Sequence, residues 1–309
     1  MNNRVEKLRE NINKYFVGKN DVVDNVLICM LAGGHVLLED VPGVGKTVLA
    51  KTIAKSMDAG FSRIQFTPDT LPGDIVGMSI YDMKTGEFRY REGAVMAQLI
   101  LADEINRTSP KTQASLLEAM AEGQVTVDGN VYKLPDPFMV IATQNPIEFL
   151  GTYPLPEAQM DRFMMRLTVG YPDEANETLM VRNIINGDTP ETIAPVCTTA
   201  DVCEMRAEVT KVNIKDSVLH YIREIVDLTR KESRYVLGAS PRATIALTKA
   251  AQAKAYLEGR DFVKPDDVKA VAGNVLSHRL VLTSETKISG ENPDTILRSL
   301  IIKAKVPME

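Results

Sequence analysis

A short apolar run, His35-Val36-Leu37-Leu38-Glu39, leads directly into Asp40-Val41-Pro42-Gly43-Val44-Gly45-Lys46-Thr47, and residues 49–57 continue with helical spacing. No other stretch restricts the fold so strongly. A buried strand, a glycine-containing turn and a helix start, in that order, gather backbone N–H groups around a point just beyond the strand's carboxyl end. The positive end of the helix adds to them. This is the context of a phosphate-binding loop, with one departure: Asp40 stands where the strict pattern begins with glycine. Aspartate tolerates turn geometry better than most residues, so the loop reads as a variant. Within it, Pro42, Gly43, Val44, Gly45 and Val48 are candidate nucleotide contacts. Lys46 would reach the β- and γ-phosphates, and Thr47 would bind Mg²⁺. The alternative is a glycine-rich turn without a ligand, which the flanking elements argue against.

Two further apolar runs follow, Ala97-Gln98-Leu99-Ile100-Leu101-Ala102 and Phe138-Met139-Val140-Ile141-Ala142, with a helical stretch at 111–122 between them. Strands separated by helices require crossover connections, so the class is α/β with a mostly parallel sheet. The second run ends in Asp103-Glu104. An apolar run followed by two acids is common, and this pair gains its weight from the phosphate loop that precedes it. Asp103 would hold the Mg²⁺ shell and Glu104 would polarise the attacking water. The third run ends in Thr143-Gln144-Asn145-Pro146. Asn145 falls at the carboxyl end of its strand, where ligands bind in open α/β sheets, and would orient that water. By itself the segment also reads as an Asn-Pro turn.

The chain has 309 residues, which at about 150 per domain suggests two domains. After Gly170-Tyr171-Pro172 strand signals become scarce. Residues 216–231 show helical spacing, Ser240-Pro241 opens another helix, and Pro265 and Pro293 begin two more. A boundary near 172 therefore separates residues 1–172 from a helical 173–309. With 44% hydrophobic and 25% charged residues, disorder is excluded. Three dispersed cysteines argue against a disulfide scaffold, and no apolar run approaches the roughly 18 residues of a membrane span. The first residues lack the apolar core of a signal peptide, so a reducing cytosol is expected. The net charge of -5 argues weakly against a duplex-DNA binder. His35, His220 and His278 have no cysteine or carboxylate at metal-ligand spacing and read as structural, while Met160, Met164 and Met165 read as core filler.

Taken together, five phrases resemble the MoxR family of AAA+ ATPases. They are Glu39-Asp40-Val41-Pro42-Gly43-Val44-Gly45-Lys46-Thr47, Ala102-Asp103-Glu104-Ile105-Asn106-Arg107, Ala142-Thr143-Gln144-Asn145-Pro146, Leu155-Pro156-Glu157-Ala158-Gln159-Met160-Asp161-Arg162-Phe163 and Gly238-Ala239-Ser240-Pro241-Arg242-Ala243. They stand in the family's order and span most of the chain. The resemblance implies a P-loop core, a helical lid, ATP as substrate and Mg²⁺ as cofactor. It makes Asn145 the sensor-1 residue, Arg162 the arginine finger acting on a neighbouring subunit's ATP, and Arg242 the lid-borne sensor 2. In isolation Arg162 reads as a surface arginine paired with Asp161, and Arg242 as a solvated helix start. The resemblance assigns residues near 67–93 to the family's helix-2 insert and those near 124–135 to the hairpin before sensor 1. It also makes Val17 and Gly18 contacts to the base, in a segment expected to precede the first helix.

The function implied is an ATP-driven, chaperone-like remodeller or assembly factor for protein complexes. It would be cytoplasmic and work as a homo-oligomeric ring, by family expectation a hexamer. Its partner would be a protein client, in this family often one with a von Willebrand factor A domain. A metal-chelatase motor subunit and a DNA-remodelling motor are the alternatives. The mixed charge of the insert and of the hairpin, and the absence of a visible DNA-binding module, count against nucleic acid.

Overall fold

A computed structural model describes residues 3–146 and 151–307. The first part carries α1 (Asn3–Tyr15), α2 (Asn20–Leu31), β1 (Val36–Glu39), α3 (Lys46–Ser56), β2 (Phe61–Gln65), α4 (Pro72–Val76), β3 (Gly77–Asp82) and β4 (Glu87–Glu92). It continues with β5 (Leu99–Asp103), α5 (Pro110–Glu122), β6 (Gln124–Val127), β7 (Asn130–Lys133), β8 (Met139–Gln144), α6 (Glu157–Met160) and β9 (Met165–Leu167). Helices then dominate: α7 (Glu174–Ile185), α8 (Thr199–Val209), α9 (Asp216–Lys231), α10 (Pro241–Leu257), α11 (Pro265–Leu276), α12 (Ser284–Ile288) and α13 (Pro293–Lys303). Among them, β10 (Tyr235–Leu237) and β11 (Val281–Leu282) form a small antiparallel pair. The segment Tyr15–Gly18 does not precede the first helix, as expected from sequence, but joins α1 to α2. Residues 3–15 bury Val5, Leu8 and Ile12 on one helical face.

The central sheet is parallel, in the order β2-β5-β8-β1-β9. Its middle strands are buried on both faces, as their continuous apolar runs require, and alternate side chains enter different cores. Val36 and Leu38, Leu99 and Leu101, Met139 and Ile141 pack with α1, α2 and α3. Leu37, Ile100, Ala102, Val140 and Ala142 point the other way, toward Leu116, Leu117 and Met120 of α5. The helix starts carry the expected chemistry. Ser109 caps α5 ahead of Pro110, and Ser240 accepts from the Ala243 N–H at 3.2 Å ahead of Pro241.

Two antiparallel hairpins leave the sheet, β3–β4 and β6–β7. They are joined by stacked rings of Tyr90 and Tyr132, 3.9 Å apart between centroids. The outer end of the first is apolar and open to solvent: Met83 is 91% exposed, Phe88 72% and Tyr81 52%.

Arg279, just beyond α11, ties the helical region to the sheet. It is buried, donates from Nε to Asp161 Oδ1 at 2.5 Å and from Nη2 to the Phe163 carbonyl at 2.7 Å. Ser240 Oγ donates to the other oxygen of Asp161 at 3.2 Å. The carboxylate of Asp161 is thus taken up by the helical region, not by Arg162 beside it.

His35 and His278 are buried and structural, whereas His220 is exposed. Nδ1 of His35 accepts from the Val140 N–H at 3.0 Å, so Nε2 carries the hydrogen donated to the Met120 carbonyl at 3.1 Å. Burial pushes His35 down to about 4 and holds His278 well below its ordinary range. Both are neutral in the folded state at pH 7, whereas in the unfolded chain they take up protons as pH falls through about 6.5. Below about pH 6.5 the unfolded chain takes up their protons and the folded chain does not, so stability falls with pH. Chemical denaturation at pH 5.5 should give an unfolding free energy lower than that at pH 7.5 by at least about 1 kcal/mol, the contribution of His35 alone. A difference below about 1 kcal/mol would show that these imidazoles accept protons without unfolding.

Candidate active site

After β1 the chain turns through Gly43 and Gly45, both at φ +87°, and enters α3 at Lys46. A side chain at Gly43 would project into open space, and one at Gly45 would press on the Phe16 ring. No side chain caps α3, so its first-turn N–H groups are left to face a ligand. They border a cleft of about 400 Å³ that also receives Lys46, Thr47, Asp103, Glu104 and Asn145. Three separate strand ends, those of β1, β5 and β8, deliver these residues to one place, as parallel pairing dictates. Lys46 Nζ donates to the Asp40 carbonyl at 2.7 Å. Burial pulls its pKa below the ordinary lysine value, and Asp40, Asp103 and Glu104 oppose that shift.

The two acids are held differently. Asp103 Oδ1 accepts from the Thr143 hydroxyl at 2.7 Å, and Oδ2 accepts from Arg63 Nη2 at 2.6 Å. Glu104 lies in the left-handed region (φ 57°, ψ 50°), which non-glycine residues rarely occupy and which is characteristic of functional sites. Its N–H bonds Thr143 Oγ1 at 2.8 Å, and its Oε2 accepts from Gln65 Nε2 and Arg107 Nη1, each at 2.9 Å. Arg63, Gln65 and Arg107 were not foreseen from sequence. Arg63 and Gln65 stand two apart on β2 and so share a face, and Gln65 is the register partner of Asp103. Arg107 stands in the phrase Ala102–Arg107 without a role read for it, and the polar-apolar-polar run Arg63-Ile64-Gln65 was the only sign of the other two.

This donor set suits a magnesium nucleotide. The hydroxyl of Thr47 and the carboxylate of Asp103 are hard oxygen donors of the kind Mg²⁺ prefers, on the edge of a cleft lined by backbone amides and two cations, Lys46 and Arg63. Among the described residues no group of three His, Cys, Asp or Glu side chains is placed to hold a metal alone.

The remaining sequence candidates lie elsewhere. Val17 and Gly18 line a second cavity of about 850 Å³, with Thr168, Val169 and Asn176. Gly18 has φ +77°, and a side chain there would collide with Asn176. Phe16 links this region to the phosphate loop through its contact at Gly45. Arg162 does not line its own cleft; its Nη1 donates to the Leu117 carbonyl at 2.6 Å. Arg242 is exposed in the first turn of α10 and also lies outside the cleft. Among the described residues no helix is long and apolar enough to cross a membrane.

Comparisons with known proteins bear directly on this arrangement. Residues 35–165 match the model of the ATPase family associated with various cellular activities (AAA), and residues 227–300 match that of the AAA lid domain. The chain is 53% identical to YeaC of Bacillus subtilis, over 98% of this chain and 95% of that protein. It is 39% identical to chaperone MoxR1 of Mycobacterium tuberculosis, over 96% and 80% respectively. A crystal structure of a provisionally assigned ATPase from Cytophaga hutchinsonii superposes with a TM-score of 0.92. It is 41% identical and covers 99% of this chain and 96% of its own.

Proposed function

Because the chain belongs to the MoxR family of AAA+ ATPases and hydrolyses ATP, we propose that it works as a chaperone-like remodeller of protein complexes, assembled as a homo-oligomeric, hexameric ring. The observation that carries the chemical part is the meeting of Lys46, Thr47, Asp103, Glu104 and Asn145 in one cleft. Lys46 leaves the Asp40 carbonyl to engage the β- and γ-phosphates, while the amides around Gly43 and Gly45 take the remaining oxygens. Thr47 and Asp103 would hold Mg²⁺, which when bound would neutralise charge on the phosphate oxygens. Glu104 accepts the proton of the attacking water as its oxygen bonds to the γ-phosphorus and the bond to the β-phosphate oxygen breaks. ADP and phosphate are the products. Gln65 and Arg107 hold the Glu104 carboxylate in place, and Asn145 orients the water. Val17 and Gly18 contact the base.

The division into a nucleotide-binding domain (residues 1–172) and a lid (173–309) belongs to this proposal. So do the roles of Arg242 on the lid and of Arg162 in a neighbour's site. The position of Arg162 outside its own cleft supports action in trans. A protein client is favoured by the apolar end of the first hairpin, where Tyr81, Met83 and Phe88 are exposed and Arg89 is paired with Asp82 at 3.5 Å. The name of the Mycobacterium relative, a chaperone, points the same way. A protein with a von Willebrand factor A domain is the partner type we propose.

Mixing two inactive variants tests the ring. Arg162→Ala lacks the finger but keeps its own cleft, and Lys46→Ala does the reverse. Equal amounts, co-assembled, should recover about a quarter of native turnover, because each site needs one intact residue from each side of an interface. No recovery in protein shown to co-assemble would count against action of Arg162 in trans.

A further inference from the structure

The residue that departs from the phosphate-loop pattern is neither solvated nor in a strained turn. Asp40 is 6% exposed, and among the described residues it is not one of the non-glycine positions with positive φ. Both of its carboxylate oxygens are used. Oδ1 accepts from the Val41 N–H at 2.8 Å, within the loop. Oδ2 accepts from the N–H groups of Val169 at 2.7 Å and Gly170 at 2.6 Å. Its carbonyl meanwhile receives Lys46 Nζ. A buried carboxylate is tolerated only where donors replace its water, and here the donors come from two distant stretches of chain.

Those two stretches are the phosphate loop and the connection from β9 to α7. Gly170 has φ +67°, and Lys19 Nζ donates to the carbonyl of the next residue, Tyr171, at 2.8 Å. The connection is therefore pinned on both sides of a left-handed residue. Val169 also lines the cavity that holds Val17 and Gly18. One side chain thus joins the phosphate cleft, the wall of the base-side cavity and the root of the helical region.

We propose that Asp40 is a positioning residue that locks the linker at Val169–Gly170 to the phosphate loop, so that nucleotide in the loop sets the position of the helical lid. The proposal rests on the phosphate-loop reading of Asp40–Thr47. When phosphate draws Lys46 from the Asp40 carbonyl, the backbone of Asp40 is released on that side, and its carboxylate carries the shift to the linker. Glycine, the residue of the strict pattern, has no acceptor with which to do this.

Hydrogen exchange read with and without ADP tests it. In the native protein the Val169 and Gly170 amides should be protected, and ADP should change their exchange and that of α10. In Asp40→Gly the two amides should exchange about 10–100-fold faster, as expected on losing bonds to a charged acceptor. That variant should keep ADP affinity within about threefold, lose roughly tenfold in kcat, and show no ADP response in α10. Asp40→Gly with native kcat and a native ADP response in α10 would overturn the proposal. If Asp40→Gly does not fold, the native protein alone decides: ADP bound without change at Val169 and Gly170 overturns it, and a change supports it. Lys46→Ala separates the premise, because ADP binding retained in that variant would refute the phosphate-loop reading whatever the linker does.

Discussion

Glu104→Gln should bind ATP about as tightly as the native protein and hydrolyse it roughly 10³-fold more slowly. The substitution keeps side-chain length and an acceptor oxygen but removes the charge and basicity that take up the proton of water. The site is built for such a residue. Glu104 is held in the left-handed region, with its N–H on Thr143 and its Oε2 between Gln65 and Arg107. Backbone strain of this kind persists only where the surroundings over-determine it. Single-turnover phosphate release, read beside equilibrium binding of a fluorescent ATP analogue, separates the two effects. Turnover within tenfold of native would place the base elsewhere.

Lys46→Ala should weaken ATP binding by roughly 10²–10³-fold and leave no measurable turnover, because the only cation that the loop itself supplies is lost. Stability should not suffer. Alanine is the strongest helix former, and Lys46 is half-buried, with a pKa that burial pulls down. Calorimetric titration with ATP, together with a melting temperature, checks both halves. Weak binding with an unchanged melting temperature is the expected pair, and native affinity would remove Lys46 from the site.

How much of this was legible in the sequence follows from where each strand lies. β1, β5 and β8 are central and buried on both faces, so they appear as unbroken apolar runs, and the residues just beyond them were readable as site residues. β2 and β9 are the two edges of the sheet. Edge strands face solvent on one side and carry polar residues, so Phe61–Gln65 and Met165–Leu167 passed unnoticed. With β2 went Arg63 and Gln65, which touch Asp103 and Glu104 only because parallel pairing sets Gln65 beside Asp103. The family resemblance located both segments, but nothing in the sequence revealed that Tyr90 of one stacks on Tyr132 of the other.

Long-range polar partners were the other blind spot. Asp40 was readable as a departure from a pattern, but the reason, two amides 129 and 130 residues away, was not. Arg279 gave no signal at all. It is buried because Asp161 and the carbonyls of Phe163 and Met164 surround it, and those lie more than a hundred residues earlier in the chain. Local sequence reports propensity and periodicity, whereas a buried charge is explained only by what the fold brings around it.

The most direct test of the account is a density map of the Glu104→Gln protein prepared with ATP and Mg²⁺. It should show the triphosphate over the amides of the loop at Gly43 and Gly45, Lys46 on its β- and γ-phosphates, and the metal between Thr47 and Asp103. Nucleotide bound away from this cleft, or a metal that Thr47 and Asp103 do not touch, would contradict it.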